Sequence, residues 1–289
     1  MRKVWIWGIT VVMTAGMIIA CGRKEEQPES LQQENVRTES ESAAEEYLIQ
    51  HTESAETNAG KEKIIGGSTQ ELIYEVENET KTYQAEDGTV IFEAKLAYPT
   101  MIGDSENLLA INEFFLKWRD EKIREYENDD DSTWHSALEV YRESRDFGWM
   151  GPWSEEYMVT SVAAQNDYIS VLLDSYLYEG GNHGIPYRES FWFRQSDGRR
   201  VSLMRESGLG ENEWERMLEA RFLELVNEAE PGTYYSDADR ILADVDWDEI
   251  GSYYGDSGIV FYLPPYEIGP YASGYAEVKI SYDEIFGTY

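Results

Sequence analysis

His183 is the residue whose type and setting most invite chemistry. It stands in Gly180-Gly181-Asn182-His183-Gly184, with Tyr178 and Glu179 just before it. An imidazole beside a carboxylate suits a general base or a metal ligand. The competing reading is favoured: the glycines supply positive-φ backbone and the imidazole caps a turn. No second His or Cys lies within metal-ligand spacing. His51 falls in a polar stretch and His135 in a helix, so a three-His zinc site is not expected. Asp244, Asp246 and Asp248, followed by Glu249, resemble a calcium loop, but Glu249 holds the sixth position, where such a loop needs glycine. A solvated acidic face is the favoured reading, and these three aspartates are only weak metal candidates. No cofactor is expected. There is no Gly-x-Ser-x-Gly elbow for a nucleophilic serine, and no carboxylate pair stands out for glycan cleavage. Trp149, Trp153, Tyr234, Tyr235, Tyr253 and Tyr254 have the rings to stack on sugars or anchor a protein, although such residues more often fill a core.

The chain's charge narrows the partners. It has 289 residues and a formal net charge of −33. Such a surface repels nucleic acid and anionic lipid headgroups, and it accommodates basic proteins, cations or neutral glycans. Aromatic residues are 13% of the whole, too many for a chain disordered throughout. The single cysteine, Cys21, excludes an intramolecular disulfide.

Residues 1–21 read as a lipoprotein signal peptide. Arg2 and Lys3 precede an uncharged apolar run from Val4 to Ala20, which ends in Ile18-Ile19-Ala20-Cys21. That ending is similar to the lipobox of bacterial lipoproteins, in which a small residue precedes the cut and the new N-terminal cysteine carries the lipid. An ordinary signal peptide with a chance cysteine, or an uncleaved anchor, is the alternative. The expected location is extracytoplasmic, anchored to a bacterial cell membrane through Cys21. Residues 22–68 are rich in Glu, Ser, Gln and Thr and are expected to form a disordered acidic tether, about 40 Å in average span.

Beyond the tether the pattern changes. Thr89–Tyr98 alternates as a strand and Leu72–Val76 does so loosely, with Asp87-Gly88 turning between them and Pro99 ending the second. From Ser105 to Tyr126, Leu108, Ile111, Phe115 and Trp118 recur at helical spacing, with Leu109 and Phe114 beside them. Residues 132–144 predict a further helix. Strand pairs are predicted for 155–164 with 168–178, and for 185–194 with 200–203. A second main helix spans 212–228, with Asn212 and Glu215 as a capping box and Trp214, Met217, Leu218, Phe222 and Leu225 as its apolar stripe. Residues 236–250 predict a short acidic helix or turn. Strands at 259–263 and 275–281 follow. Strands and helices fall in blocks, which points to an α+β fold: antiparallel sheets with two main amphipathic helices packed on them. Two small subdomains in tandem are expected, 69–165 and 166–289.

Two segments carry a family resemblance. One is Tyr178–Gly184, where Gly180, Gly181, His183 and Gly184 stand, followed by Asp197, Gly198, Val201 and Leu203. The other is Tyr266-Glu267-Ile268-Gly269-Pro270-Tyr271-Ala272-Ser273-Gly274. Together they resemble the extracytoplasmic region of the RsiV-like family, the lysozyme-sensing anti-sigma-V factors. That region is also found ahead of the catalytic domain in some peptidoglycan deacetylases. The resemblance covers roughly 70–289, with Asn182 where the family has alanine. The lipobox stands where the anti-sigma factor has its sigma-binding segment, and the esterase's metal-binding Asp and His residues are not matched. The resemblance therefore implies a cell-surface binding or sensing domain rather than sigma-factor sequestration or deacetylation. Its candidate ligand-binding residues are Gly180, Gly181, His183, Gly184, Tyr266, Glu267, Pro270, Tyr271 and Gly274. The expected partner is a basic protein such as lysozyme, or a cell-wall glycan. The alternative is a wall-glycan-modifying enzyme or an accessory domain of one.

Overall fold

A computed structural model describes residues 62–64, 72–128, 132–144 and 148–287. The signal segment with Cys21 lies outside the described residues, as does the tether except for Glu62–Ile64. Those three residues form β1, paired with β2 (Leu72–Gln84). Sheet pairing thus begins inside the stretch read as tether, with Ile64 in register with Leu72.

Seven strands make the first sheet in chain order: β1, β2, β3 (Val90–Met101), β4 (Trp153–Gln165), β5 (Tyr168–Tyr178), β6 (Ile185–Arg194) and β7 (Arg200–Val201). Neighbours are antiparallel except β3 and β4, which run parallel from Phe92↔Trp153 to Leu96↔Tyr157. A parallel pair needs a crossover. Here it is made by α1 (Glu106–Asn128) and α2 (Thr133–Ser144). The sheets are mostly antiparallel, as the α+β reading expects, and this parallel pair is the exception. Pro99 does not end β3; it sits inside the strand, opposite Val76. β4 pairs with β3 only as far as Leu96, so among the described residues Pro99 has a strand neighbour on one side alone, where a residue lacking an N–H is tolerated.

The α1 stripe does what its spacing predicts. Ile111, Phe115 and Trp118 are buried, and Phe114 and Phe115 meet Phe191 and Phe193 of β6 with ring centroids 5.1–5.7 Å apart. Leu109 lies outside the stripe and is exposed. After β7 come α3 (Leu203–Ser207), α4 (Glu211–Glu228) and α5 (Ala238–Leu242), then β8 (Gly251–Gly255), β9 (Gly258–Leu263), β10 (Ala276–Ile280) and α6 (Tyr282–Phe286). The last three strands form a second antiparallel sheet in the order β10-β9-β8. Trp214, Leu218 and Phe222 of α4 pack in one cluster with Ile259, Phe261 and Val278 of that sheet. The expected capping box is not formed. α4 begins one residue before Asn212, and the carbonyl of Gly210 accepts from Glu213 and Trp214. β8 was not anticipated, since its Tyr253-Tyr254 pair sits between glycines and gives only a short alternation.

The two sheets meet through the even-numbered side chains of β5 and β6. Trp192 Nε1 donates to the Ser252 carbonyl at 3.0 Å, Ser252 N–H donates to Ser190 Oγ at 3.0 Å, and Tyr254 N–H donates to Ser170 Oγ at 3.3 Å. At the far end of this interface Arg188 is a largely buried latch. Its Nε donates to Asp174 Oδ1 at 2.8 Å and its Nη1 to Glu277 of β10. The guanidinium lies 4.0 Å from the Tyr275 ring centroid and 5.5 Å from that of Tyr262. Pairing of β4 with β5 crosses residue 165, so the subdomain boundary expected there falls at a hairpin turn inside the first sheet.

Candidate functional site

The connection from β5 to β6 is built by glycine. Gly180 and Gly181 have φ of +84° and +93°, where L side chains are strained. Gly184 is required for a different reason. A Cβ there would lie 2.4 Å from the Leu177 carbonyl oxygen and 2.7 Å from the Tyr176 ring. Its N–H donates to Tyr176 Oη at 2.6 Å. His183 between them is exposed. Its Nδ1 lies 2.9 Å from the Gly184 carbonyl oxygen. A carbonyl only accepts, so Nδ1 carries the proton in that bond.

The connection from β9 to β10 comes to meet this corner. Tyr266 has φ +73° and is 47% exposed. For a large side chain that backbone is strained, a condition found at functional sites. Its N–H donates to the Gly269 carbonyl at 3.0 Å. Buried Ile268 pins the segment, its carbonyl accepting from Tyr235 N–H at 2.9 Å, and Ser273 Oγ donates to the Thr233 carbonyl. Pro270, in extended backbone, leads into the short 3-10 turn Tyr271–Ser273, which Gly274 closes at φ +65°. Tyr271 is thereby stacked on His183, centroids 4.4 Å apart and planes 25° from parallel, and Tyr266 stands 5.9 Å from Tyr271. Burial, with Tyr176 and Tyr266 contributing less, raises the Tyr271 hydroxyl above its ordinary pKa.

The two segments singled out in the sequence, more than eighty residues apart, thus form one ridge: His183, Tyr271, Tyr266. Glu267 is exposed beside it. Tyr178 Oη donates to the Gly181 carbonyl at 3.2 Å, and among the described residues no hydrogen bond joins His183 to Tyr178 or Glu179. Glu179 is exposed as a residue, yet partial cover of its carboxyl, with the charge of Glu155 second, raises its pKa. Asp244, Asp246 and Asp248 are exposed on the turns before β8, and Asp246 Oδ1 accepts from Asp248 N–H at 3.2 Å. Among the described residues no three His, Cys, Asp or Glu side chains are grouped to hold a metal ion. His135 bonds Ser132 at 2.8 Å, and His51 lies outside the described residues. Of the aromatic candidates, Trp153 and Tyr254 are core residues, and Tyr235 is exposed.

Beside the ridge opens a cleft of about 820 Å³, lined along one wall by Tyr187–Trp192 of β6 and along the other by Gly251, Ser252, Leu263, Pro264 and Glu267. Sequence reasoning missed it, because its walls come from separate sheets. The same holds for the Arg188 latch, whose partners lie 14 and 89 residues away.

Residues 209–283 match a family described as protein of unknown function (DUF3298), and residues 85–186 match one described as deacetylase PdaC. One ridge segment falls within each match. No curated protein matches the chain. Among solved structures, a member of the DUF3298 family from Bacteroides fragilis is similar at 16% identity and TM-score 0.49, covering 73% of this chain and 91% of its own. A DUF3298 family protein from Pseudomonas aeruginosa is similar at 20% identity and TM-score 0.46, covering 74% and 92%. Among the described residues no helix is long and apolar enough to cross a membrane.

Proposed function

We propose that this chain is a non-catalytic, extracytoplasmic lipoprotein, held to the membrane through Cys21, whose folded region binds a protein or cell-wall ligand, lysozyme-like muramidases among the candidates. One observation carries the reading: the ridge His183–Tyr271–Tyr266 joins the two motif segments in a row of rings, His183 and Tyr266 exposed and Tyr271 half-buried between them, held by strained and glycine-dependent backbone. Exposed aromatic rings on a rigid support are the usual anchors of recognition. The net charge of −33 favours a basic partner and its fast capture. A second reading, an accessory domain of a wall-glycan-modifying enzyme, is favoured by the match of residues 85–186 to the family described as deacetylase PdaC.

The test is titration of the full chain with a basic lysozyme at low and near-physiological salt. Submicromolar binding that survives screening, and that weakens at least tenfold in His183→Ala and Tyr266→Ala, is the expected result. Binding that vanishes with salt and ignores both substitutions would mean that net charge alone attracted the lysozyme, and glycan fragments would become the ligand to test. Anchoring is read separately: labelled palmitate should enter the parent chain and not Cys21→Ser.

A further inference from the structure

β6 is ten residues long, yet its outer edge is paired only at its C-terminal end, where β7 lies beside Trp192 and Phe193 and the Arg199 carbonyl takes the Arg194 N–H. Its hydrogen-bonding parity is fixed at both sides. Gln195 N–H donates to the Asp167 carbonyl on the β5 side, whereas Arg194 N–H donates to the Arg199 carbonyl on the β7 side. Odd-numbered residues of β6 therefore bond β5, and even-numbered residues point their N–H and C=O outward. Beyond Trp192 the outward residues are Ser190, Arg188 and Pro186. Among the described residues the main-chain groups of Ser190 and Arg188 meet no hydrogen-bond partner on that side. The place beside them is open because the chain leaves the ladder: Ser202, directly after β7, caps α3, its carbonyl accepting from Glu206 N–H at 3.1 Å. Pro186, which has no N–H, closes the far end.

This open edge forms a wall of the 820 Å³ cleft, and the cleft is acidic where it is unpaired. Arg188 is matched by Asp174 and Glu277, and Glu189 by Lys122 at 2.9 Å. What remains of the lining charge is Asp246, Asp248, Glu249 and Glu267 against Arg200 and Arg205.

We propose that Arg188 and Ser190 form a β-addition site, where an extended segment of a basic protein partner pairs in line with β7 and places its cationic side chains toward Asp246, Asp248, Glu249 and Glu267. Main-chain bonds to two donors and two acceptors hold the segment, and the acidic lining selects its charge. The inference rests on the binding reading only in taking the partner to be basic. Glu267 lies both in the ridge segment and in the cleft wall, so one partner can engage both.

The test uses the full chain and a capped hexapeptide alternating lysine and valine, with residue-resolved amide exchange as the readout. The expected result is slowing of at least tenfold at Arg188 and Ser190, with Glu189 and Phe191, already bonded to β5, unchanged. Methylating the alternate peptide nitrogens that face β6 should weaken binding about tenfold or more. A glutamate-valine peptide should not bind, and Asp246→Asn with Glu249→Gln should weaken the lysine peptide while leaving the urea midpoint in place. The proposal is overturned if the lysine peptide does not bind, or binds without protecting Arg188 and Ser190, or is indifferent to methylation. Failure of the ridge shows elsewhere, as lysozyme binding that ignores His183→Ala.

Discussion

Replacing Arg188 by methionine tests how the two sheets are held together. Asp174 is 1% exposed, its Oδ1 is bonded by Arg188, and among the described residues its Oδ2 meets no hydrogen-bond partner. Methionine keeps much of the apolar bulk beside Tyr262 and Tyr275 and removes the charge. Asp174 is then a buried carboxylate without a counter-ion, a change that costs about 3–5 kcal/mol. The lost attraction of the cation to the rings adds about 1 kcal/mol. Against a total stability of about 5–15 kcal/mol this is a large fraction. In urea unfolding of the full chain, with a slope of about 2 kcal/mol per molar, the midpoint should fall by about 2–3 M. Adding Asp174→Asn removes the stranded charge and should recover more than half of the loss. A single variant within about 1 kcal/mol of the parent, or a double variant as unstable as the single, would refute the argument that this ion pair is a buried structural link.

Three further outcomes follow from the same geometry. Gly184→Ala places a methyl 2.4 Å from the Leu177 carbonyl oxygen and should cost about 1–3 kcal/mol in urea unfolding; a neutral variant would mean that the corner relaxes freely. Phe115→Ala empties a fully buried position under β6 and should cost about 3–5 kcal/mol by the same assay, with a loss under about 1 kcal/mol contradicting the packing described. Glu179 has a folded-state pKa above its ordinary 4.5, so its contribution is intact below pH 4.5 and is lost as pH rises through the raised value. Glu179→Gln should therefore gain melting temperature relative to the parent between pH 4 and 7, and a difference that stays flat across that range would contradict the shift.

Much of the fold was legible because it is encoded locally. The 3.6-residue recurrence of Ile111, Phe115 and Trp118 fixed α1 and its buried face, and the alternation through 90–98 with the Asp87-Gly88 turn fixed the β2/β3 hairpin. Where local rules failed, a neighbour intervened. Pro99 stayed inside β3 because one edge of the strand was free there, and the capping role at α4 fell to Gly210 because the helix begins before Asn212. The ridge was half legible. Its two segments stood out by their glycines, prolines and tyrosines, but nothing in their spacing says that His183 stacks on Tyr271.

By itself the sequence determined the acidity, along with the α+β class and the residues of both ridge segments. These depend on composition and short-range periodicity, which survive in the linear chain. Only the tertiary structure decided that β3 and β4 run parallel, that Arg188 joins Asp174 to Glu277, that the His183 and Tyr271 rings meet, and that, among the described residues, β6 keeps an open edge. Each of these depends on which strands lie side by side, and strand order follows from long-range burial and crossover geometry, which no local pattern carries.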